Sequence, residues 1–466
     1  MKIKKVLAAA LAVAMAAAMA SCGDTGSGSG GKTNEQKKSA DGKTVLNIWS
    51  FTEEVPNMID KYIELHPEFG EKYEINTTVI STTENAYQPA LDQALAGGGK
   101  DAPDLYCAEA AFVLKYTQGD ASSYAATYKD LGIDVDKEIK DADIAQYTVD
   151  IGSRDGEVVG LGYQATGGVF IYRRSLAKDV LGTDDPAAVA EAIGGGSNSW
   201  DKFWDVAEQM KAKGYGMVSG DGDIWHAVEN SSDKGWIVDG KLHIDPKREE
   251  FLDISKKLKD NDYHNDTQDW QDAWFADMKD EGPKKVFGFF GPAWLINYTL
   301  GDNCGGSAPG EGTYGDWAVC EPPVGFFWGG TWVLANNASP NKEAVGELID
   351  WITLNTSEDG LQYMWANGTF APNEDGTPGT KDCVASGTVM AKSNGESAFL
   401  GGQNMFEVFT KANQFANGKN LTQYDQTIND TWRDEVRQYT GGELSRDEAI
   451  AAFKQSVSDN LGIEAE

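Results

Sequence analysis

Short apolar runs bounded by turn residues alternate with amphipathic stretches along most of the chain. VLNIWSF, from Val45, predicts a buried strand. Val55, Met58, Ile59, Tyr62 and Ile63 then recur at helical spacing until Pro67 ends the pattern. YEINTTVIS from Tyr73 and APDLYCA from Ala102 predict a second and a third strand, and GEVVGLG from Gly156 and GGVFIYRR from Gly167 two more. In SWDKFWDVAEQMKAKG, Trp200, Phe203, Trp204, Ala207 and Met210 share one helical face; Ser199 caps the start and Gly214 supplies the stop. Ser339-Pro340 predicts another helix start, with Val345, Leu348, Ile349 and Ile352 facing inward. Ser445 and Glu448 make a capping box ahead of Ile450, Phe453 and Val457. Strands interleaved with helices predict the α/β class with open sheets. At 466 residues the chain is too long for one ordinary core, so two lobes are expected.

The first residues follow a different pattern. Lys2, Lys4 and Lys5 precede an unbroken apolar run from Val6 to Ala20, too short to span a bilayer. This predicts an export signal. Ala18-Met19-Ala20 fits cleavage to a soluble product. Met19-Ala20-Ser21-Cys22 resembles a bacterial lipobox, in which Cys22 is lipidated and becomes the first residue. The Gly/Ser run from Gly23 to Gly31 and the polar residues after it predict a flexible tether, and a tether favours the lipid reading.

Charge narrows the partners. With 73 Asp plus Glu against 40 Lys plus Arg, the net charge is -33. Such a surface repels phosphate backbones, so no nucleic-acid partner is expected. Past the signal, Cys107, Cys304, Cys320 and Cys383 allow three pairings. Cys304 and Cys320 bracket a glycine-rich loop and are the candidate disulfide of an exported protein; Cys107, in an apolar run, is expected to be a buried thiol. The four histidines His66, His226, His243 and His264 form no zinc-like pattern and are expected to be surface or satisfied groups. No nucleophile elbow occurs, and no catalytic residue is assigned. A G-x-G-x-x-G match, Gly26 to Gly31, lies in the tether without a strand before it or a helix after it.

Aromatic residues carry the functional signal: 14 Trp and 17 Tyr exceed what a core requires. Trp49, Ser50, Thr52 and Glu53 follow the first strand, whose carboxyl end faces the crevice in an open α/β sheet. Trp225 follows a glycine loop. Trp270 and Trp274 are four apart, the spacing of one helical face that more often packs into a core, and Trp270 is kept as a candidate ligand contact. KKVFGFFGPAWLINY runs a strand into Gly291-Pro292 and opens a helix at Trp294. FFWGGTW, Phe326 to Trp332, reads as a strand with Phe326, Trp328, Gly330 and Trp332 on one side and Phe327, Gly329 and Thr331 on the other. Glycine there permits close approach of a ligand, and an indole offers a flat apolar face with one donor, which suits a sugar ring. Whether Trp328 or Trp332 is the exposed ring stays open.

ANNASPNKEAVGELIDWIT from Ala335, GPAW from Gly291, the Ser199 helix and the lipoprotein-like start together resemble bacterial solute-binding proteins of the maltose-binding type. The resemblance extends over nearly the whole chain. It implies two α/β lobes of the type II periplasmic-binding fold that close by a hinge on an oligosaccharide and deliver it to an ABC transporter permease. It implicates Ser50, Thr52 and Glu53 after the first strand, Glu109 after PDLY, Tyr163 and Gln164 in GLGYQATGG, and Gln403 and Asn404 in GGQNMFEVF. Asn, Gln and acids suit this role because each can pair with two hydroxyls. The expected organisation is a signal peptide at 1–21, an anchor and tether at 22–42, one lobe from 43–163 with 326–372, and a second from 164–325 with 373–466. A monomer at the cell surface or in the periplasm is expected, held by lipid at Cys22. Hinge closure requires no cofactor, and no residue is assigned to a metal. A binder of polyamine or peptide shares the fold, and polyamine would need carboxylates clustered with the tryptophans; a secreted glycoside hydrolase would use the same aromatic platforms.

Overall fold

The computed structural model describes residues 33–82 and 85–466. The export signal, Cys22 and the Gly/Ser run lie outside the described residues. Eight strands build the two larger sheets: β1 (Thr44–Ser50), β2 (Tyr73–Val79), β3 (Leu105–Glu109), β4 (Gly160–Gly162), β5 (Val169–Arg173), β6 (Gly288–Gly291), β7 (Trp317–Cys320) and β8 (Thr331–Ala335). The first sheet has the order β2-β1-β3-β8-β4, with β1 parallel to β2 and β3 and with β8 antiparallel to β3 and β4. The second is β6-β5-β7, antiparallel throughout. The chain therefore passes between sheets twice, from β4 to β5 and back from β7 to β8. The protein is a two-lobed α/β structure.

Alternation along each strand sends side chains to two cores per sheet. Leu46, Ile48, Cys107 and Val333 face the helices α1 (Glu54–Leu65) and α4 (Lys342–Thr353), through Val55, Met58, Leu348 and Ile352. Tyr106, Ala108, Trp332 and Leu334 point the other way, onto Tyr87, Leu91 and Phe112. In the second sheet Phe170, Tyr172 and Phe290 pack on Phe203, Ala207 and Met210 of α2 (Asp201–Ala212). The helices α3 (Asp221–Glu229), α5 (Asp425–Gly441) and α6 (Arg446–Leu461) complete that lobe. The Ser445/Glu448 capping box opens α6 as its sequence predicts.

Several expectations are corrected. FFWGGTW is not one strand: β8 begins only at Thr331, because Gly329 and Gly330 take φ values of 72° and 115° that turn the chain. Trp270 and Trp274 do not share a helical face; the helix starts at Asp272, and Trp270 precedes it with φ at 65°. The helix expected at Ser339-Pro340 begins at Lys342. Residues 34–42, assigned to the tether, hydrogen-bond to the first lobe, with Asn34 N donating to the Ala338 carbonyl at 2.7 Å and Val45 N to the Lys37 carbonyl at 3.0 Å. Cys304 and Cys320 are both free. Cys304 packs with Val319, whereas its neighbour Cys320 points to the opposite face of β7 with Phe170 and Tyr172, so the two sulfurs belong to different cores.

Candidate functional site

The register of the first sheet places the site. Thr331 pairs with Glu109, so the Gly329-Gly330 turn and the end of β3 lie on the same sheet edge. Ala110 N donates to the Gly330 carbonyl at 3.0 Å and ties them together. Beside this edge is a cavity of about 190 Å³. The first lobe supplies Glu109 and Leu114, the crossover supplies Phe327, Trp328 and Gly329, and α3 and α5 of the second lobe close the rest. Wider grooves of about 510 Å³ beside Asn297 and about 460 Å³ beside Tyr147 exist. Neither carries an indole, and each has a single carboxylate in its lining.

Backbone hydrogen bonds as well as packing hold its aromatic wall. Trp328 N donates to the Thr166 carbonyl at 3.1 Å, and the Thr166 hydroxyl donates to the Gly329 carbonyl at 2.8 Å. Trp294 Nε1 donates to the Trp328 carbonyl at 3.1 Å. A Cβ on Gly329 would stand 3.3 Å from that nitrogen and 3.5 Å from Glu109 Oε1, so both the conformation and the space call for glycine. Trp328 stacks on His226 with centroids 3.6 Å apart and planes at 12°. Trp294 meets Trp328 edge-on at 4.8 Å, and Trp270 lies over Trp294 at 6.1 Å and 14°. Trp270 is 49% exposed, an apolar ring left at the rim. Trp294 leads directly into a π-helical turn, Leu295–Leu300, a local deviation that recurs at functional sites.

The second lobe contributes charge from two helices. On α3, Trp225, His226 and Glu229 face the cavity; on α5, Asp425, Asn429 and Arg433 repeat every four residues along one face. Arg433 grips Asp269 with both guanidinium nitrogens. Gly222 makes room for that pair, since a Cβ there would lie 2.6 Å from Asp269 Oδ1. His226 Nε2 is 3.4 Å from Asp269 and Nδ1 is 3.5 Å from Glu229, ion-pair distances beyond a good hydrogen bond. Burial disfavours the imidazolium, but these two carboxylates outweigh it and raise the His226 pKa. Burial would raise Asp269 as well, yet His226 and Arg433 hold it well below the usual carboxylate range. Glu109 keeps one bond, Oε2 accepting from Ala111 N at 2.7 Å, and burial pushes its pKa up to about 7.

The sequence matches the model of the bacterial extracellular solute-binding protein family over residues 50–358. The chain belongs to that family. No curated protein matches this solute-binding protein in sequence. Among solved structures it resembles an extracellular solute-binding protein of family 1, with a TM-score of 0.69 at 16% identity, covering 89% of this chain and 99% of the other. It also resembles the sugar-binding protein MalE of Xanthomonas citri (TM-score 0.64, 13% identity, coverage 89% and 97%). A third is the galacto-N-biose/lacto-N-biose I-binding protein of the Bifidobacterium longum ABC transporter, bound to lacto-N-biose (0.63, 16%, 91% and 99%). These likenesses are of fold.

Of the residues expected to bind ligand, Glu109, Trp225, Trp328 and Gly329 line the cavity of this solute-binding protein, and Trp270 and Trp294 form its rim cluster. The others are engaged elsewhere. Trp49 is half-buried, its carbonyl taking a bond from the Tyr87 hydroxyl at 3.3 Å. Ser50 is buried beneath Thr52, Thr52 accepts from Glu54 N, and Glu53 is exposed at the start of α1. Tyr163 donates to Glu54 Oε1 at 2.5 Å and Gln164 to Asp382 at 3.3 Å, both buried. Gly330 serves the turn and Thr331 the sheet. The Gln403 amide exchanges two 2.8 Å bonds with Val319 and so extends the β7 edge, and Asn404 accepts from Gly395 N and Phe406 N. Sequence reasoning did not assign His226, Glu229, Asp269, Asp425, Asn429 and Arg433 to the site. His226 was visible beside Trp225, and the four-residue repeat on α5 was visible too, but polar residues at that spacing ordinarily face solvent.

Proposed function

We propose that this protein captures an oligosaccharide between its lobes and hands it to an ABC permease, without altering it. The observation that carries the reading is Trp328. It is a half-buried indole on the crossover between lobes, backed by His226 and flanked by Glu109 of one lobe and Asn429 of the other. One ring face and hydroxyl partners from both sides are what a sugar ring needs. A ligand touching both lobes would favour the closed form by its differential affinity. Structures of similar fold support the class, since their described ligands are lacto-N-biose, maltose and cycloalternan. Lipid at Cys22 would keep the protein beside the permease, and the expected lobe limits, 43–163 with 326–372 and 164–325 with 373–466, belong to the same proposal. Calorimetry of the mature chain against a linkage-diverse oligosaccharide panel tests it. Binding of one series is expected, with the sugar recovered intact, and Trp328→Ala is expected to weaken it at least tenfold. Cleaved sugar, or an affinity untouched by Trp328→Ala, would overturn the reading.

A further inference from the structure

We propose that the ligand of this cleft carries a positive charge, as an oligosaccharide with at least one free amino group. The inference rests on the sugar-binding reading and adds the charge. Two basic side chains at the cavity already have acidic partners. Arg433 is held by Asp269, and His226 lies between Asp269 and Glu229. Arg248 lies behind the wall, 4.4 Å over the Trp236 ring, with Glu229 and Asp425 as the carboxylates nearest the cavity in its field. The carboxylates outnumber these basic groups. Glu109 and Asp430 line the same space and have no cation bonded to them among the described residues. Asp425 also lines it and is only 6% exposed. Its Oδ1 takes the Thr422 N–H and hydroxyl, and its Oδ2 has no hydrogen-bond partner.

A neutral sugar can donate its hydroxyls to these acids but cannot offset their excess charge. Hydroxyl donation leaves that charge uncompensated in a partly buried site. An ammonium supplies three donors and the missing charge, and the Trp328 face attracts a cation as well. The acids are poised to respond. Burial holds Glu109 near 7, with Glu229 and His226 facing it, and Asp425 near 6, with Arg248 and Glu229 facing it. An arriving ammonium favours their ionised forms, so binding is expected to release protons at neutral pH.

The test is calorimetry of the mature chain with glucosamine-containing di- and trisaccharides of several linkages, each as the free amine and as its N-acetyl form, with spermidine alongside. Titration in two buffers of different ionisation enthalpy counts released protons. The free amine is expected to bind at least tenfold tighter than the N-acetyl form, with proton release that Glu109→Gln reduces. Asp430→Asn, a change at an exposed position, is expected to narrow the preference without touching the melting temperature. Equal or tighter binding of the N-acetyl or neutral sugars overturns the charge proposal and leaves sugar binding standing. Spermidine binding with no sugar response overturns both. No response to any free amine overturns the charge proposal whatever the neutral panel does.

Discussion

Two aromatic clusters in this protein are built from the same residue types and held in different ways. In the second lobe Phe170, Phe203, Phe290 and Trp200 interlock at centroid distances of 4.9 to 5.9 Å, each ring surrounded by apolar neighbours. At the cleft Trp270, Trp294 and Trp328 touch at similar distances, but one ring is half exposed and the others are only partly covered. Packing fixes the first cluster. The second is fixed by a glycine turn, by the Trp294 hydrogen bond and by the His226 ring stacked beneath it. An aromatic ring left available to a ligand must be positioned by more than full burial, and here backbone bonds and ring stacking add to partial packing.

This contrast can be broken from either side. Phe290→Ala empties a fully buried site and is expected to cost about 3–5 kcal/mol, read by urea unfolding, while ligand affinity at the surviving fold stays within twofold. Trp328→Ala is expected to do the reverse, with a large loss of affinity and a small one of stability; matching stability losses for the two would erase the distinction. Gly329→Ala sharpens it. The new Cβ enters a left-handed backbone position and crowds Trp294, so about 1 kcal/mol of stability is expected to go, together with a measurable loss of affinity. Equal behaviour of Gly329→Ala and wild type in both assays would show that the turn does not hold the rings.

The smallest expected effect concerns pH. Burial raises the Glu109 carboxyl from 4.5 to about 7, so the folded chain holds this proton more tightly than the unfolded one. The group therefore favours the fold below about pH 4.5, and that contribution is lost as pH rises through about 7. Asp223 and Asp382, also raised to about 7 by burial, act in the same direction. Glu109→Gln is expected to flatten, without abolishing, the fall of melting temperature between pH 4.5 and 7 in the unliganded protein. An unchanged slope would mean that Glu109 titrates as a solvated acid.

Local pattern made much of the fold legible. The α1 stripe, the α6 capping box and the strands β1, β2, β3 and β5 all follow from periodicity and caps. Where the pattern misled, the cause was a backbone conformation that residue types do not announce. Trp270 at positive φ broke the helical face it was expected to share with Trp274, and the glycine pair ended a strand that the FFWGGTW alternation had suggested. The site was half legible for a related reason. Glu109 and Trp328 stand beside turn signals on a strand end and a glycine turn. Asp425, Asn429 and Arg433 are ordinary helix residues brought to the cavity only by what the helix packs against.

The sequence by itself determined the α/β class, the two-lobed size, the acidic charge and the presence of more indoles than a core requires, because each is a property of composition or of near-neighbour spacing. Tertiary structure alone decided which indole faces the cleft. Trp332 turns into the first lobe, where its Nε1 donates to the Thr148 carbonyl at 2.9 Å, while Trp328 stays on the crossover. It also decided that Gln403 serves the sheet edge, that Cys304 and Cys320 remain apart, and that carboxylates more than 300 residues apart in the chain share one cavity. Those outcomes depend on register and on lobe packing, in which each contact joins segments that no local pattern links.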